Sequence, residues 1–174
     1  VLTVILAMLS GALAGACSGI IHTRLKVNPL LAGILVMTAL YSINLLLLGR
    51  PNLPLLDVSS IFTMLPGGSA LAKTIISLAI CTILVFLLLY YLLRTDFGIA
   101  MRATGNNETM VKAMGVNVSS MKITGLALAN GLTALSGSLI TQYQGFADIN
   151  MGIGIVASGL GAVMIGETFL PAKS

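Results

Sequence analysis

The chain has 174 residues, of which 57% are hydrophobic and only 8% charged, against about 25% charged in an ordinary soluble domain. That much apolar surface cannot be hidden from water, so a soluble fold is excluded and a bilayer is implied. The net charge of +4 comes from Lys and Arg scattered at the ends of apolar runs, with no basic patch, which excludes nucleic acid as a partner.

In chain order, the first apolar run is Leu2–Ile21, followed by Leu30–Leu48, Ile75–Leu93 and Ile123–Tyr143. Each is about the twenty residues that a helix needs to cross hydrocarbon. The pattern predicts an all-α fold: a polytopic transmembrane helix bundle with four clear spans and a fifth, shorter segment, as one partial domain over residues 1–174. Gly11, Gly15 and Gly19 recur every fourth residue and share one face of the first span. Ala127, Gly131, Ala134 and Ser138 give the fourth span a similar face. Helices in lipid associate by close packing, and small residues permit it. Cys17 and Cys81 lie within spans without metal-type spacing and read as small packing residues.

Gly49–Lys73 holds Pro51, Pro54, Pro66 and the pair Gly67-Gly68, which marks a loop, with room for a short interfacial helix at Val58–Met64. The fifth segment, Ile153–Ile165, lies in a glycine-rich, charge-free run and is predicted to be a broken or protein-buried helix. The chain opens on Val rather than Met and stops shortly after this stretch, so a piece of a longer protein is expected.

The polar island Arg94–Lys122 interrupts the apolar pattern. A chain that only spans needs short turns, so a long charged connection is expected to touch something in water. Positive residues cluster on its side: Arg24, Lys26, Arg94, Arg102, Lys112 and Lys122, against Arg50 and Lys73 on the other. The island is therefore assigned to the cytoplasm and Gly49–Lys73 to the opposite face. After a link from Arg94, Asn107-Glu108 suits a helix start. A short surface helix is predicted over Thr109–Met114, with Gly115 as a left-handed stop and Asn117 capping the next span. Met110, Val111 and Met114 would form its apolar face. That face either docks a protein or rests on lipid.

Asn44, Asn130 and Gln142 lie in or near spans, where polar groups line a pathway or bond neighbouring helices together. Asp148 and Glu167 flank the fifth segment as interfacial charges or gate residues. His22 is the single histidine and reads as interfacial, since no carboxylate lies near it in sequence.

Gly98, Arg102, Gly105-Asn106-Asn107-Glu108 and Gly115-Val116-Asn117-Val118 together resemble the cytoplasmic coupling region of ATP-binding-cassette importer permeases that serve branched-chain amino acids and ribose-like sugars. Leu25 to Gly33, Gln142 to Gly154 and Gly159 to Glu167 extend the likeness, the last two toward a tryptophan/tyrosine uptake subgroup. Many relatives place alanines where this chain has Thr109-Met110-Val111. The resemblance implies that Gly98, Gly105 and Gly115 shape the loop and that Arg102 and Glu108 hold it or pair with an ATPase subunit. Asn106 and Asn107 belong to the same matched run, and Met110, Val111 and Met114 would fill the ATPase's groove. It also implies further helices at both ends, an extracytoplasmic solute-binding protein, a second permease copy, and transport of a small solute such as a branched-chain or aromatic amino acid. Asn44, Asn130, Gln142 and Glu167 remain pathway candidates.

The chain is not expected to be an enzyme. The one cluster near a phosphate-binding loop, Pro66-Gly67-Gly68-Ser69, lacks the Gly-Lys-Ser/Thr ending, so ATP hydrolysis must come from a separate subunit and no cofactor is expected. An ion-driven transporter or channel fragment is the alternative, but it calls for buried acids, and the four spans hold no Asp or Glu. A lone histidine supplies neither a serine-protease base nor a metal site.

Overall fold

The computed structural model describes residues 2–55 and 69–169, with the side chains of Ala70, Val156, Ala157 and Glu167 outside that description. The helix expected at Val58–Met64 therefore falls outside the described residues. Helix α1 runs Leu2–Leu25 and α2 runs Pro29–Leu48; strand β1 is Asn52–Pro54. Then follow α3 (Ala70–Arg94), α4 (Asp96–Asn106), α5 (Glu108–Ala113) and α6 (Val118–Gln144). Strand β2 (Phe146–Asp148), a 3-10 turn (Ile149–Gly152) and α7 (Ile155–Phe169) complete the order. Among the described residues, α1, α2, α3 and α6 are long and apolar enough to cross a bilayer.

The centre of the bundle is the contact between α1 and α6, which run antiparallel. Each glycine of the α1 stripe seats on α6 backbone. A Cβ added at Gly15 would stand 2.8 Å from Asn130 Cβ and 2.9 Å from Ala127 Cα, and one at Gly19 would stand 2.8 Å from Ile123 Cα. Gly11 meets Ala134 and the Asn130 carbonyl in the same way. From the other side, Gly131 lies beside Met8 and Ala12. The two small-residue faces read from the sequence thus pack on each other.

The α1–α2 turn is tight. Lys26 takes a left-handed φ of 54°, and the His22 ring nitrogen Nδ1 lies 2.7 Å from the Val27 carbonyl. Asn28 then caps α2 by accepting from the Leu30 N–H at 3.0 Å, with Pro29 in the first turn, where a missing N–H costs nothing. His22 therefore has a structural task.

At the other end, α2 and α6 stop at left-handed glycines, Gly49 (φ 64°) and Gly145 (φ 75°). The two chains then pair as an antiparallel ribbon in the register Asn52↔Asp148, Leu53↔Ala147 and Pro54↔Phe146. A two-stranded ribbon can hold Pro54 because its strands are both edges. Nothing in the helix-period pattern announced this ribbon. Asp148 caps the 3-10 turn through the Asn150 N–H at 2.7 Å, so it is a structural cap at the ribbon's end.

Helix α3 stands apart from α1 and α2 and approaches the rest mainly through α4. An apolar gap of about 370 Å³ separates it from α6, lined by Cys81, Val85, Leu132 and Leu139 among others. Cys17 is exposed on α1, so packing within this chain does not cover it. The fifth segment is broken at Gly154 (φ 88°), after which α7 runs as a continuous helix; Ile155, Val163, Met164 and Ile165 are exposed among the described residues.

If the α1–α6 contact holds the bundle, Gly15→Leu should destabilise the detergent-purified full-length protein by about 1–3 kcal/mol, the usual cost of overpacking. Gly137→Ala, where a Cβ meets nothing within 4 Å, should leave it unchanged or gain up to about 1 kcal/mol from helix propensity. Thermal unfolding midpoints compare the two, and equal midpoints would refute the contact's role.

Candidate functional site

The polar island is a pair of short helices. Thr95 ends α3 and starts α4: its hydroxyl donates to the Leu92 carbonyl at 2.6 Å and accepts from the Gly98 N–H at 3.3 Å. Asp96 adds an acid to the first turn, where the helix dipole favours it. Gly98 is required sterically, since a Cβ there would lie 2.8 Å from the Leu93 carbonyl carbon. The link expected after Arg94 is thus an eleven-residue helix. Gly105, which the resemblance assigned to shaping a loop, sits inside α4 with open space around it.

Asn107 caps α5 as its sequence position suggests, accepting from the Thr109 and Met110 N–H groups, each at 3.1 Å. Gly115 (φ 83°) closes α5, donating to the Lys112 carbonyl at 3.0 Å. Asn117 caps α6 through the Ser120 N–H at 3.2 Å. Glu108 forms an ion pair with Lys122, tying the start of α5 to the second turn of α6. The Lys122 hydrogen bond holds the Glu108 carboxyl below the usual carboxylate range against opposing desolvation, and Lys112 and His22 act in the same direction. Glu108 therefore holds the island to α6.

The exposed face is narrower than expected. Met110 and Met114, one helical turn apart, are each 60% exposed, whereas Val111 is 1% exposed. On a helix the residue after Met110 turns about 100° away, and here that direction points into the protein, where α5 packs on α4 and α6. Val111 is an anchor and cannot fill a partner's groove. Arg102 and Asn106 are exposed on α4 and border an open cleft with Ile99, Ala103 and Gly105. Ile99, 57% exposed, was not singled out by sequence. Thr104 is buried, its hydroxyl donating to the Ala100 carbonyl.

Two of the four pathway candidates meet. Asn44 and Asn130 line one cavity of about 320 Å³ between α1, α2, α6 and the 3-10 turn, together with Ser18 and Tyr41. Asn130 donates to the Leu126 carbonyl of its own helix at 3.0 Å, and among the described residues it makes no bond to another helix. Gln142 lies outside this cavity, half-buried farther along α6, and Glu167 belongs to α7 with its side chain outside the description. Among the described residues, no three His, Cys, Asp or Glu side chains gather as metal ligands.

The Glu108–Lys122 pair should make the island pH-sensitive. Because the folded Glu108 carboxyl titrates below its unfolded value, the pair's contribution is complete above the ordinary carboxylate range and is lost as pH falls through the lowered folded value. Normalised to the intrinsic, base-catalysed exchange rate at each pH, amide exchange of residues 108–114 should therefore rise a few-fold on acidification in the wild type, as suits an exposed pair. In Glu108→Gln it should already be raised at neutral pH and respond less. Identical profiles would refute the tie.

The family described as "Branched-chain amino acid transport system / permease component" matches residues 1–172. A tyrosine transport system permease protein of Clostridioides difficile is 42% identical over 171 residues, covering 97% of this chain and 55% of that protein. A ribose import permease protein of Haemophilus influenzae is 30% identical over 166 residues, 94% of this chain and 51% of the relative. An inner membrane ABC transporter permease protein of Escherichia coli is 29% identical over 170 residues, 95% and 50% of the two chains. The chain thus spans about half the length of these curated relatives. No solved structure matches it. Matched over nearly its whole length and carrying helices fit to cross a bilayer, the chain belongs to the branched-chain amino acid transport system permease family, whose members are permease components of transport systems rather than enzymes, the Escherichia coli relative an inner-membrane one.

Proposed function

We propose that this chain is the membrane-spanning part of an ATP-driven importer in which α4 and α5 form the docking surface for a cytoplasmic ATPase subunit. The observation that carries the reading is the pair of exposed methionines, Met110 on α5 and Met114 at its C-terminal cap, on a helix started by Asn107, closed by Gly115 and tied to a span by Glu108–Lys122. Methionine is polarizable and adaptable, and suits a contact surface that must follow a moving partner. The positive charge on the island's side supports a cytoplasmic location. Ile99 and Arg102 extend the surface along α4, Arg102 as a donor to partner carboxylates.

In this reading a solute-binding protein docks at the opposite end, near the β1–β2 ribbon, and a second permease copy or paralogue completes the channel. The spans lack ATP-binding machinery, so closure of the ATPase would be passed mechanically from α5 through Lys122 to α6. The cargo is a small solute. The tyrosine-transport relative favours an aromatic amino acid, and the ribose-import relative is the counterweight.

Met110→Glu with Met114→Glu tests the docking surface. Both side chains are exposed, so the variant should reach the membrane in wild-type amounts. Burying a methionine contributes about 1.5–3 kcal/mol, and about 1.4 kcal/mol is tenfold in affinity. Capture of the ATPase subunit by the tagged full-length protein should therefore fall by roughly tenfold or more. Undiminished capture would overturn the assignment.

A further inference from the structure

We infer that the cavity shared by Asn44 and Asn130 is a way-station for an uncharged, hydroxyl-bearing ring of the transported solute. The inference rests on the importer reading and deepens it, by saying which part of the cargo this chain handles.

The cavity, about 320 Å³, lies at the small end of ligand sites. Its walls are mostly apolar: Val36, Met37 and Leu40 of α2 and Leu126 of α6, with Ile149 of the 3-10 turn and Ile153 just after it. Among the described residues, no Asp, Glu, Lys, Arg or His lines it. A carboxylate or ammonium group entering here would lose hydration without gaining a counter-charge, which is costly inside a bilayer. An aromatic or sugar ring fits the apolar walls without that cost.

The polar groups are spare amides. Asn130 uses its N–H on the Leu126 carbonyl, leaving its Oδ1 as an acceptor. Asn44, on the facing helix, has no hydrogen-bond partner among the described residues and can both donate and accept. Tyr41 reaches only to Asn150 Oδ1, at a long 3.5 Å. Ser18 is occupied by the Ala14 carbonyl. An acceptor from α6 and a donor–acceptor from α2 on one cavity are matched by a hydroxyl group, which can both give and accept a hydrogen bond. A phenol and a sugar hydroxyl share this chemistry.

The position suits a way-station. The lining runs from Ser18 and Leu126, well inside the spans, to the turn that follows the β1–β2 ribbon. Gly145 and Gly154, both left-handed, bracket the segment that forms the cavity's end. Asn130 also packs against Gly15, so the site shares its wall with the α1–α6 contact.

The test is saturation-transfer NMR on the full-length permease in nanodiscs, with L-tyrosine, L-phenylalanine and D-ribose as separate probes. The expected result is binding of tyrosine or ribose, tenfold or more tighter than phenylalanine. Asn44→Leu, on an exposed position of α2, should remove at least tenfold of that preference, and Asn130→Leu likewise if it folds. Tyrosine binding without ribose assigns the phenol, and the reverse assigns the sugar. Phenylalanine binding equal to tyrosine with no ribose binding, a preference unchanged in Asn44→Leu, or no binding of any probe would overturn the inference. ATPase capture by the same preparation is read in parallel, so loss of the site alone is distinguished from failure of the importer reading.

Discussion

The close approach of α1 to α6 is the constraint on which the remaining structure hangs. Lipid gives no hydrophobic drive for two apolar helices to associate, so contact must come from van der Waals fit and local polar bonds. Gly11, Gly15 and Gly19 let α1 lie directly on the α6 backbone over two turns. Once that pair is set, the short turn at Lys26–Asn28 brings α2 back alongside α1, and the ribbon joins the far ends of α2 and α6. The cavity between these three helices follows from that arrangement.

Helix α6 links the two proposed surfaces. Lys122, near its start, holds Glu108 and with it the α4–α5 pair. Two turns later, Asn130 lies in the cavity and against Gly15. A displacement of α5 would pull on α6 at Lys122 and be felt where α6 forms the cavity wall. Such a push shifts an equilibrium only if the partner binds one arrangement better than the other. By contrast α3 and α7 expose apolar surface along much of their length, and the chain covers about half of its relatives.

Much of this was legible in the sequence because the signals are local. Hydropathy runs marked the four spans, the fourfold glycine spacing marked the packing face, and Asn107, Gly115 and Asn117 marked the caps. Helix α4 was hidden because Gly98 and Gly105 suggest loop, while the capping hydroxyl of Thr95 is a weak cue on its own. Val111 could not be separated from Met110 and Met114 because a six-residue helix is too short for its inward face to show as a period. The ribbon escaped notice because pairing Asn52 with Asp148 is a long-range event without a local signature. Asn44 and Asn130 were visible singly as polar residues in spans; only the fold shows that they share a cavity and that Gln142 does not.

The central claim is that the exposed face of α5 is covered by a peripheral protein in the cell. Met114→Cys, in a full-length background without Cys17 and Cys81, can be probed with a membrane-impermeant maleimide in inside-out vesicles. The account predicts slow labelling that becomes fast after urea strips peripheral proteins, with little labelling from the opposite face. Equal labelling before and after stripping, or labelling only from the outer face, would contradict it.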